Sequence, residues 1–287
     1  MYPDPYKQSI IDPIDFNNTV QKLRSFFLER GWVEAHAQHL TSILAACEDP
    51  ETISPYSYSG YVWPLPQTSQ MWLEYFLLKN PNLKGVFCVS TSYRNEPNPV
   101  PGRHDLRFPM FEFETHGGMD ALVELSQDLL VHMGFDKERF TGGDYLDVAK
   151  HYHPGVDQPE LTGEDEGLIW KDNSECFFLT NFPYYTSPFW NMKKNGDTAN
   201  KLDVLLYGME TLGSAERSCD KDEMEHLFHT ISDGRYANTI FAQFGRDRVL
   251  RELQDFLNFD FFQRSGGGIG MTRMIRAMKM LEESKNL

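Results

Sequence analysis

The chain has 287 residues, enough for one large hydrophobic core, and 40% of its residues are hydrophobic, as in ordinary globular proteins. Its formal net charge of −15 disfavours nucleic-acid binding, because a basic surface that neutralises phosphates supplies much of that affinity. No apolar run approaches the roughly 18 residues typical of a membrane-spanning helix, so no membrane span is predicted.

The N-terminus and the cysteines both favour a cytoplasmic location. The first residues lack the basic region and the apolar core of a signal peptide. The four cysteines, Cys47, Cys88, Cys176 and Cys219, lie far apart without a CxxC spacing. Reduced thiols are therefore expected rather than a zinc site or disulfides.

In the first half of the chain, hydrophobic periodicity predicts helices and strands in alternation. Helices are predicted over residues 16–31, 69–79 and 120–133. Strands are predicted over residues 32–36, 86–93 and 108–114, the last two as an antiparallel pair. Residues 48–64 are rich in Pro, Ser, Tyr and Gly and are predicted to form a loop.

The second half opens with a polar, acidic stretch, residues 137–175, in which surface helices and loops are predicted. Strands follow over residues 177–180 and 202–207, and helices over residues 222–244, 246–257 and 270–281. No repeat or linker interrupts the pattern. These elements predict a single α/β domain with a mixed, mainly antiparallel sheet flanked by helices.

Two arginines stand in distinctive surroundings. Arg94 follows a predicted strand, and a Pro/Gly-rich loop then leads to Arg103, His104 and the aromatic return strand that begins at Phe108. Taken alone, Arg94 beside Glu96 fits a surface ion pair equally well. The additional cations and the aromatic face instead favour a site that holds a triphosphate and a base.

The second arginine, Arg273, follows a glycine run, residues 266–270, that opens the last predicted helix. Glycine permits close backbone approach, so this arginine can reach the same phosphates. Forming an adenylate from a carboxylate and ATP requires such fixed cations together with Mg²⁺.

A third pattern spaces Asp203, Glu210 and Arg217 seven residues apart. Taken alone, it is a strand with scattered acids. Two carboxylates are nevertheless suitable ligands for a Mg²⁺ ion bound to phosphates.

Together the three segments resemble motifs 2 and 3 of the class II aminoacyl-tRNA synthetases and the D-x(6)-E-x(6)-R pattern of their aspartate/asparagine subclass. The resemblance covers about residues 18–282, with motif 2 at about 86–114 and motif 3 at about 265–282. It implies one synthetase-like catalytic domain over residues 1–287, without an anticodon-binding domain.

The resemblance also implies roles for individual residues. Asp203 and Glu210 would be the Mg²⁺ ligands, and Arg94 and Arg273 the catalytic residues. The ATP-binding residues would be Arg94, Glu96, Arg103, His104, Phe108, Gly268, Gly270 and Arg273.

For the amino-acid substrate, Glu112 would bind the ammonium group and Arg217 the polar end of the side chain. The complete set of amino-acid-binding residues would be Ser69, Gln70, Leu73, Glu74, Glu112 and Arg217. The Leu73-Glu74 pair resembles the corresponding pair in asparaginyl-tRNA synthetases, whereas the glycine run that ends at Gly270 resembles the corresponding run in asparagine synthetase A.

The function implied is an AMP-forming ligase that uses ATP and Mg²⁺ to activate aspartate or asparagine and passes the acyl group to ammonia or another small amine. One alternative is transfer to tRNA, a carrier or a protein lysine. Another is a non-catalytic regulatory paralogue, which the intact Arg94, Glu96, Asp203, Glu210 and Arg273 disfavour.

Partners are predicted from the same resemblance. Charge and the lack of an anticodon module make tRNA an unexpected partner. A homodimer is expected through the N-terminal helix and the strand near Trp32, although Gln38 replaces the proline that this interface usually carries.

Overall fold

A computed structural model describes residues 11–43, 50–100 and 102–285 of the chain. The N-terminal segment, Cys47 and the first two residues of the predicted 48–64 loop lie outside the described residues. Among the residues described, none of the helices combines the length and apolar character needed to cross a bilayer.

The helices and strands of these residues have the following bounds. The helices are α1 (Pro13–Glu29), α2 (Gln70–Lys79), α3 (Met119–Met133), α4 (Tyr145–Tyr152), α5 (Gly163–Asp172), α6 (Lys221–Thr230), α7 (Arg235–Phe244), α8 (Arg246–Leu257) and α9 (Met271–Lys285). The strands are β1 (Val33–Glu34), β2 (Pro55–Tyr58), β3 (Tyr61–Pro64), β4 (Gly85–Tyr93), β5 (Arg107–His116), β6 (Phe140–Asp144), β7 (Cys176–Pro183), β8 (Lys194–Asn195), β9 (Thr198–Leu206), β10 (Glu210–Glu216) and β11 (Arg264–Gly270).

Within the described residues, nine strands form one sheet in the order β1-β4-β5-β11-β10-β9-β7-β6, with β8 beside β9. Only the outer pairs, β1 with β4 and β6 with β7, are parallel. Helix α1 contacts both α3 and α9, and all three helices contact the sheet. The predicted fold, a mixed and mainly antiparallel sheet flanked by helices, is therefore confirmed.

The sheet separates an apolar face from a polar face because alternate residues of a strand point to opposite sides. Phe111 and Phe113 of β5 and Val204 of β9 belong to the core beneath α1, α3 and α9. Their neighbours Glu112 and Asp203 line a cavity on the other face. One face of the central strands thus builds the core, and the other builds the site.

Phe27 of α1 shows how tightly the core face is packed. Its ring centroid lies 5.5 Å from that of Phe87 and 5.2 Å from that of Phe111. Such aromatic contacts on buried rings anchor the helix layer to the middle of the sheet.

The loop predicted over residues 48–64 is corrected, because its described part contains the hairpin β2–β3. Ser59 and Gly60 connect the strands with φ values of 51° and 80°. Two positive φ angles suit a tight hairpin turn, which composition alone did not distinguish from an irregular loop.

Other elements also differ from the predictions. The acidic stretch 137–175 contains the edge strand β6. The helix predicted over 222–244 is broken between α6 and α7, where Ser232 and Asp233 adopt φ values of 52° and 57°. Strand β11 was not predicted, because its glycines hid the pattern, whereas β10 lies in the segment from Asp203 to Arg217 that was interpreted as a strand with scattered acids. The remaining predicted helices and strands are confirmed with shifted ends.

Candidate active site

The polar face of the sheet holds a cavity of about 520 Å³ at the carboxyl end of β4 and along β5, β9, β10 and β11. Most of the predicted site residues line it. These are Gln70, Arg94, Glu96, Arg103, His104, Phe108, Glu112, Asp203, Glu210, Arg217, Gly268, Gly270 and Arg273.

At one end of the cavity, cations from three segments converge. Arg94 directly follows β4, and its backbone N–H donates to the Leu106 carbonyl (2.8 Å), which holds the base of the motif 2 loop. Arg273, in the first turn of α9, donates to the Glu210 carbonyl (2.7 Å) and to the Arg103 carbonyl (3.4 Å). Backbone contacts therefore hold the main chain of Arg94 and the guanidinium of Arg273 in place.

Carboxylates accompany these cations. Arg103 forms an ion pair with Glu166 of α5, and Glu166 also accepts the backbone N–H of Glu210 at 2.9 Å. The guanidinium of Arg273 lies 3.7 Å from the Glu210 carboxylate. Burial opposes ionisation of Glu210, yet the charges of Arg273 and other nearby cations lower its pKa overall.

The two predicted magnesium ligands face the cavity from neighbouring strands. The Lys201 ammonium donates to Asp203 Oδ2 at 2.7 Å, whereas Asp203 Oδ1 is buried without a hydrogen-bond partner among the described residues. Burial raises the pKa of Asp203 to about 7, and the neighbouring Glu210 adds to this rise. A bound cation would relieve both effects.

These donors fit Mg²⁺ in particular. No cluster of three or more His, Cys, Asp or Glu ligands occurs in the part of the chain that the structure describes. Mg²⁺ commonly takes only one or two protein carboxylates and completes its coordination with phosphate and water oxygens. Asp203 and Glu210 suit that kind of site.

The wall between the two ends carries the aromatic and glycine residues expected around a nucleotide. The Arg94 guanidinium carbon lies 5.7 Å from the centre of the Phe108 ring. His104 Nδ1 is buried with no hydrogen-bond partner among the described residues. A Cβ atom at Gly268 would stand 2.6 Å from the end of the Met110 side chain, so glycine keeps this wall open.

The other end of the cavity contains Glu112, which is fully buried. Its carboxylate accepts the Ser69 backbone N–H at 2.9 and 3.0 Å, the Ser90 hydroxyl at 2.5 Å, and the Thr68 hydroxyl. Burial raises its pKa, and these hydrogen bonds partly offset the rise. Glu112 is thus a rigidly held carboxyl group facing the cavity.

Arg217, just after β10, lies at the floor of this end with only 1% of its surface exposed. It donates to Gln70 Oε1 at 2.6 Å and to the Glu114 carboxylate at 3.3 and 3.4 Å. The Gln70 amide donates in turn to the Phe113 and Gly267 carbonyls, each at 3.1 Å.

A second buried ion pair lies behind the first. Arg264 donates to Glu74 Oε2 at 2.7 and 3.2 Å, and Asn191 donates to Glu74 Oε1 at 2.8 Å. Sequence reasoning missed Glu114, Arg264 and Asn191 as parts of the site. Glu114 stands two residues after Glu112, on the same face of β5, and strand periodicity could have identified it.

Three of the predicted amino-acid-binding residues are corrected, because their side chains do not line the cavity. Leu73 is fully buried in an apolar cluster with Leu77 and Val86, since it faces β4 rather than the site. Glu74 is occupied by Arg264, and Ser69 contributes its backbone N–H to Glu112. Ser69 and Glu74 therefore act behind the cavity wall.

The sheet topology and the helices that flank it are those of the class II aminoacyl-tRNA synthetase fold. Asparaginyl-tRNA synthetase from Pyrococcus horikoshii, complexed with asparaginyl-adenylate, superimposes with a TM-score of 0.74 at 18% identity, over 92% of this chain and 64% of that one. Aspartyl-tRNA synthetase from Entamoeba histolytica superimposes with a TM-score of 0.67 at 17% identity, over 92% of this chain and 54% of that one.

The chain belongs to the family of class II tRNA synthetases (D, K and N), whose model matches residues 14–286. It is 23% identical to an aspartate–tRNA(Asp/Asn) ligase of Methanopyrus kandleri, over 94% of this chain and 65% of the relative. It is 24% identical to an aspartate–tRNA(Asp/Asn) ligase of Haloferax volcanii, over 84% of this chain and 59% of the relative. The chain thus spans less than two thirds of the length of these curated relatives.

Proposed function

We propose that the chain uses ATP to activate the carboxylate of aspartate or asparagine, forming an aminoacyl-adenylate and pyrophosphate. The observation that carries this proposal is the single cavity that joins Arg94 and Arg273 at one end to Glu112 and Arg217 at the other. The first pair suits a polyphosphate, and the second pair suits an amino acid with a polar side chain.

In the proposed reaction, a carboxylate oxygen of the amino acid attacks the α-phosphorus of ATP. A new P–O bond forms, the bond to the β-phosphate oxygen breaks, and pyrophosphate leaves with that electron pair. Negative charge grows on the phosphate oxygens, where Arg94 and Arg273 stabilise it. Because the Arg273 guanidinium is already held by backbone carbonyls, it needs little reorganisation as the charge develops.

Asp203 and Glu210 would hold Mg²⁺ at the phosphate end. The ion would supply positive charge to the ATP phosphates. Lys201 neutralises Asp203 at 2.7 Å. The unpartnered Asp203 Oδ1 provides the lone pairs for such a ligand.

Glu112 would hold the substrate ammonium, because it is the buried carboxyl group that faces the cavity near the amino-acid end. Arg217 would meet the polar side-chain end. Gln70 would keep the guanidinium of Arg217 oriented through their 2.6 Å hydrogen bond.

For the second step we propose transfer to ammonia or another small amine. The amine nitrogen attacks the activated carbonyl, loses a proton, and AMP leaves. The net charge of −15 supports a small acceptor, because a polyanionic RNA would be repelled.

Transfer to tRNA is the second candidate. It is supported by the relatives from Methanopyrus kandleri and Haloferax volcanii, both of which are tRNA ligases by name.

Product analysis separates these candidates. Purified chain is incubated with ATP, Mg²⁺ and aspartate or asparagine, and then with ammonium or with total tRNA. Amide formation coupled to AMP release supports the small-amine proposal, and acid-stable aminoacyl-tRNA supports the second candidate. Absence of AMP formation under every condition contradicts adenylation itself.

A further inference from the structure

Helix α5 lies outside the three motif segments, yet it forms one wall of the phosphate end of the cavity. Its residue Glu166 lines the cavity together with Arg103 of the motif 2 loop and Glu210 of β10. The side chain of Glu166 is 14% exposed and that of Arg103 is 21% exposed. Both side chains can therefore face a ligand in the cavity, although they are largely shielded from solvent.

Glu166 joins two parts of the site through the two oxygens of one carboxylate. Its Oε1 accepts a hydrogen bond from Nη2 of Arg103, and its Oε2 accepts the backbone N–H of Glu210 at 2.9 Å. The first contact sets the direction of the Arg103 side chain. The second contact anchors the same carboxylate to the start of β10.

The surroundings of Glu166 favour its ionised form. Burial raises the pKa of Glu166, and the hydrogen bond and the charge of Arg103 oppose that rise. Both carboxylate oxygens accept from N–H groups, which have no lone pair that could receive a carboxyl proton. A carboxylate therefore matches both contacts.

The helix that carries Glu166 is itself held in place. Its N-terminus has a capping box, in which Asp165 accepts the Thr162 backbone N–H at 2.7 Å and the Thr162 hydroxyl accepts the Asp165 N–H at 3.3 Å. Ile169 is fully buried in an apolar cluster. A Cβ atom at Gly208 would stand 3.1 Å from the backbone of α5, so the helix lies close against the turn before β10. Glu166 therefore projects from a rigid support.

We infer that Glu166 positions the Arg103 guanidinium for the β- and γ-phosphates of ATP, so that α5 takes part in polyphosphate binding. The inference rests on the proposed adenylation and adds to it a residue that no motif segment contains. Arg103 would contact the phosphates, and Glu166 would act through Arg103.

Positioning matters for Arg103 because its side chain is long and has many rotamers. The backbone of this residue is already held, since its N–H donates to the Val100 carbonyl at 3.1 Å and its carbonyl accepts from Arg273 at 3.4 Å. Neither of these contacts fixes the guanidinium. A guanidinium that the ligand must order costs part of the binding free energy, whereas one that is held beforehand does not.

Two variants move the guanidinium while keeping the charge of Glu166, which is necessary because a negative side chain also repels phosphates. Glu166→Asp retains the carboxylate but shortens its reach by one methylene group. Gly163→Ala leaves Glu166 intact and adds a Cβ atom that would stand 2.8 Å from Arg103 Cζ, so the guanidinium must shift.

The test measures the affinity for ATP and for an acyl-adenylate mimic, the asparaginyl or aspartyl sulfamoyl adenosine, by isothermal titration calorimetry with Mg²⁺. The mimic has no β- or γ-phosphate and therefore lacks the groups that Arg103 would bind. Both variants are expected to bind ATP about tenfold more weakly, the size expected for ordering one long side chain. They are expected to bind the mimic as tightly as the wild-type chain does.

Two further variants show whether the effect is specific. Glu164→Asp is the matched control, because Glu164 is an exposed residue in the first turn of α5, and it is expected to leave both affinities unchanged. In an Arg103→Ala background, Glu166→Asp is expected to add little, since the side chain that Glu166 positions is absent.

Unchanged or tighter ATP binding in Glu166→Asp overturns the inference, and so does an equal loss of affinity for the mimic. An undiminished effect in the Arg103→Ala background also overturns it. If Glu166→Asp does not fold, Gly163→Ala decides by the same comparison. Failure of the wild-type chain to bind ATP contradicts the proposed adenylation itself, so the two failures are distinguishable.

Discussion

Gly266→Ala tests whether the floor of the site is as tightly built as its geometry indicates. The added Cβ would lie 1.8 Å from Glu114 Oε2 and 2.5 Å from the Phe113 carbonyl oxygen, whereas ordinary contact begins near 3.4 Å. The carboxylate would have to move by roughly 1.6 Å, the difference between these distances. The backbone oxygen of Phe113 prevents relief in the other direction.

That movement weakens the buried Arg217–Glu114 pair. Disrupting such a pair costs about 3–5 kcal/mol, and overfilling a packed site costs about 1–3 kcal/mol. Because the two effects share one displacement, we expect a loss of about 3–5 kcal/mol in unfolding free energy rather than their sum.

Gly268→Ala is the matched control on the same strand. Its Cβ would meet only the terminal methyl of Met110 at 2.6 Å and Glu112 Cγ at 3.6 Å, and a flexible methionine can move aside. We expect it to lose no more than about 1 kcal/mol. Urea unfolding measures the free energy of unfolding of both variants, provided that this free energy falls equally steeply with urea concentration in each. A difference of less than about 1 kcal/mol between the two losses would refute the reasoning.

Two further predictions concern charged residues. Glu210→Gln is expected to lower adenylation by at least about 10²-fold, since it removes one electrostatic contributor at the phosphates, and AMP release measures the loss. Burial, partly offset by Arg217, raises the pKa of Glu114 from 4.5 to about 7, so the folded chain retains a proton between these pH values. The unfolding free energy of the chain should therefore fall as pH rises through that range. In Glu114→Gln the urea midpoint, plotted against pH, should lack this part of the fall.

Much of the fold followed from the sequence because amphipathic periodicity is strong in its long helices. The spacing of Val20, Leu23, Phe26 and Phe27 predicted α1, and all four side chains are buried in the core. The glycines of β11 gave no such signal. This strand carries glycines because the neighbouring atoms leave no room for side chains. A Cβ built on Gly267 would stand 2.4 Å from Ser214 Cβ.

The site was foreseen where residues matched a spaced motif, as with Arg94, Arg273 and Glu210. It was not foreseen where partners come from distant segments, as with the Arg264–Glu74 pair, which is 190 residues apart. Leu73 was misplaced because a motif match gives position along α2 but not the direction that the side chain faces. The homodimer stays a prediction; the Trp32 ring packs inward against Phe27, with centroids 4.8 Å apart.

The most direct test of the central claim is ATP–pyrophosphate exchange, measured with each amino acid in the presence of Mg²⁺. The wild-type chain should exchange with asparagine or aspartate and lose exchange in EDTA. Arg94→Ala should reduce the rate by at least about 10²-fold, whereas Arg107→Ala, an exposed arginine of β5, should retain it. Exchange with neither amino acid, or equal rates in the two variants, would contradict the account.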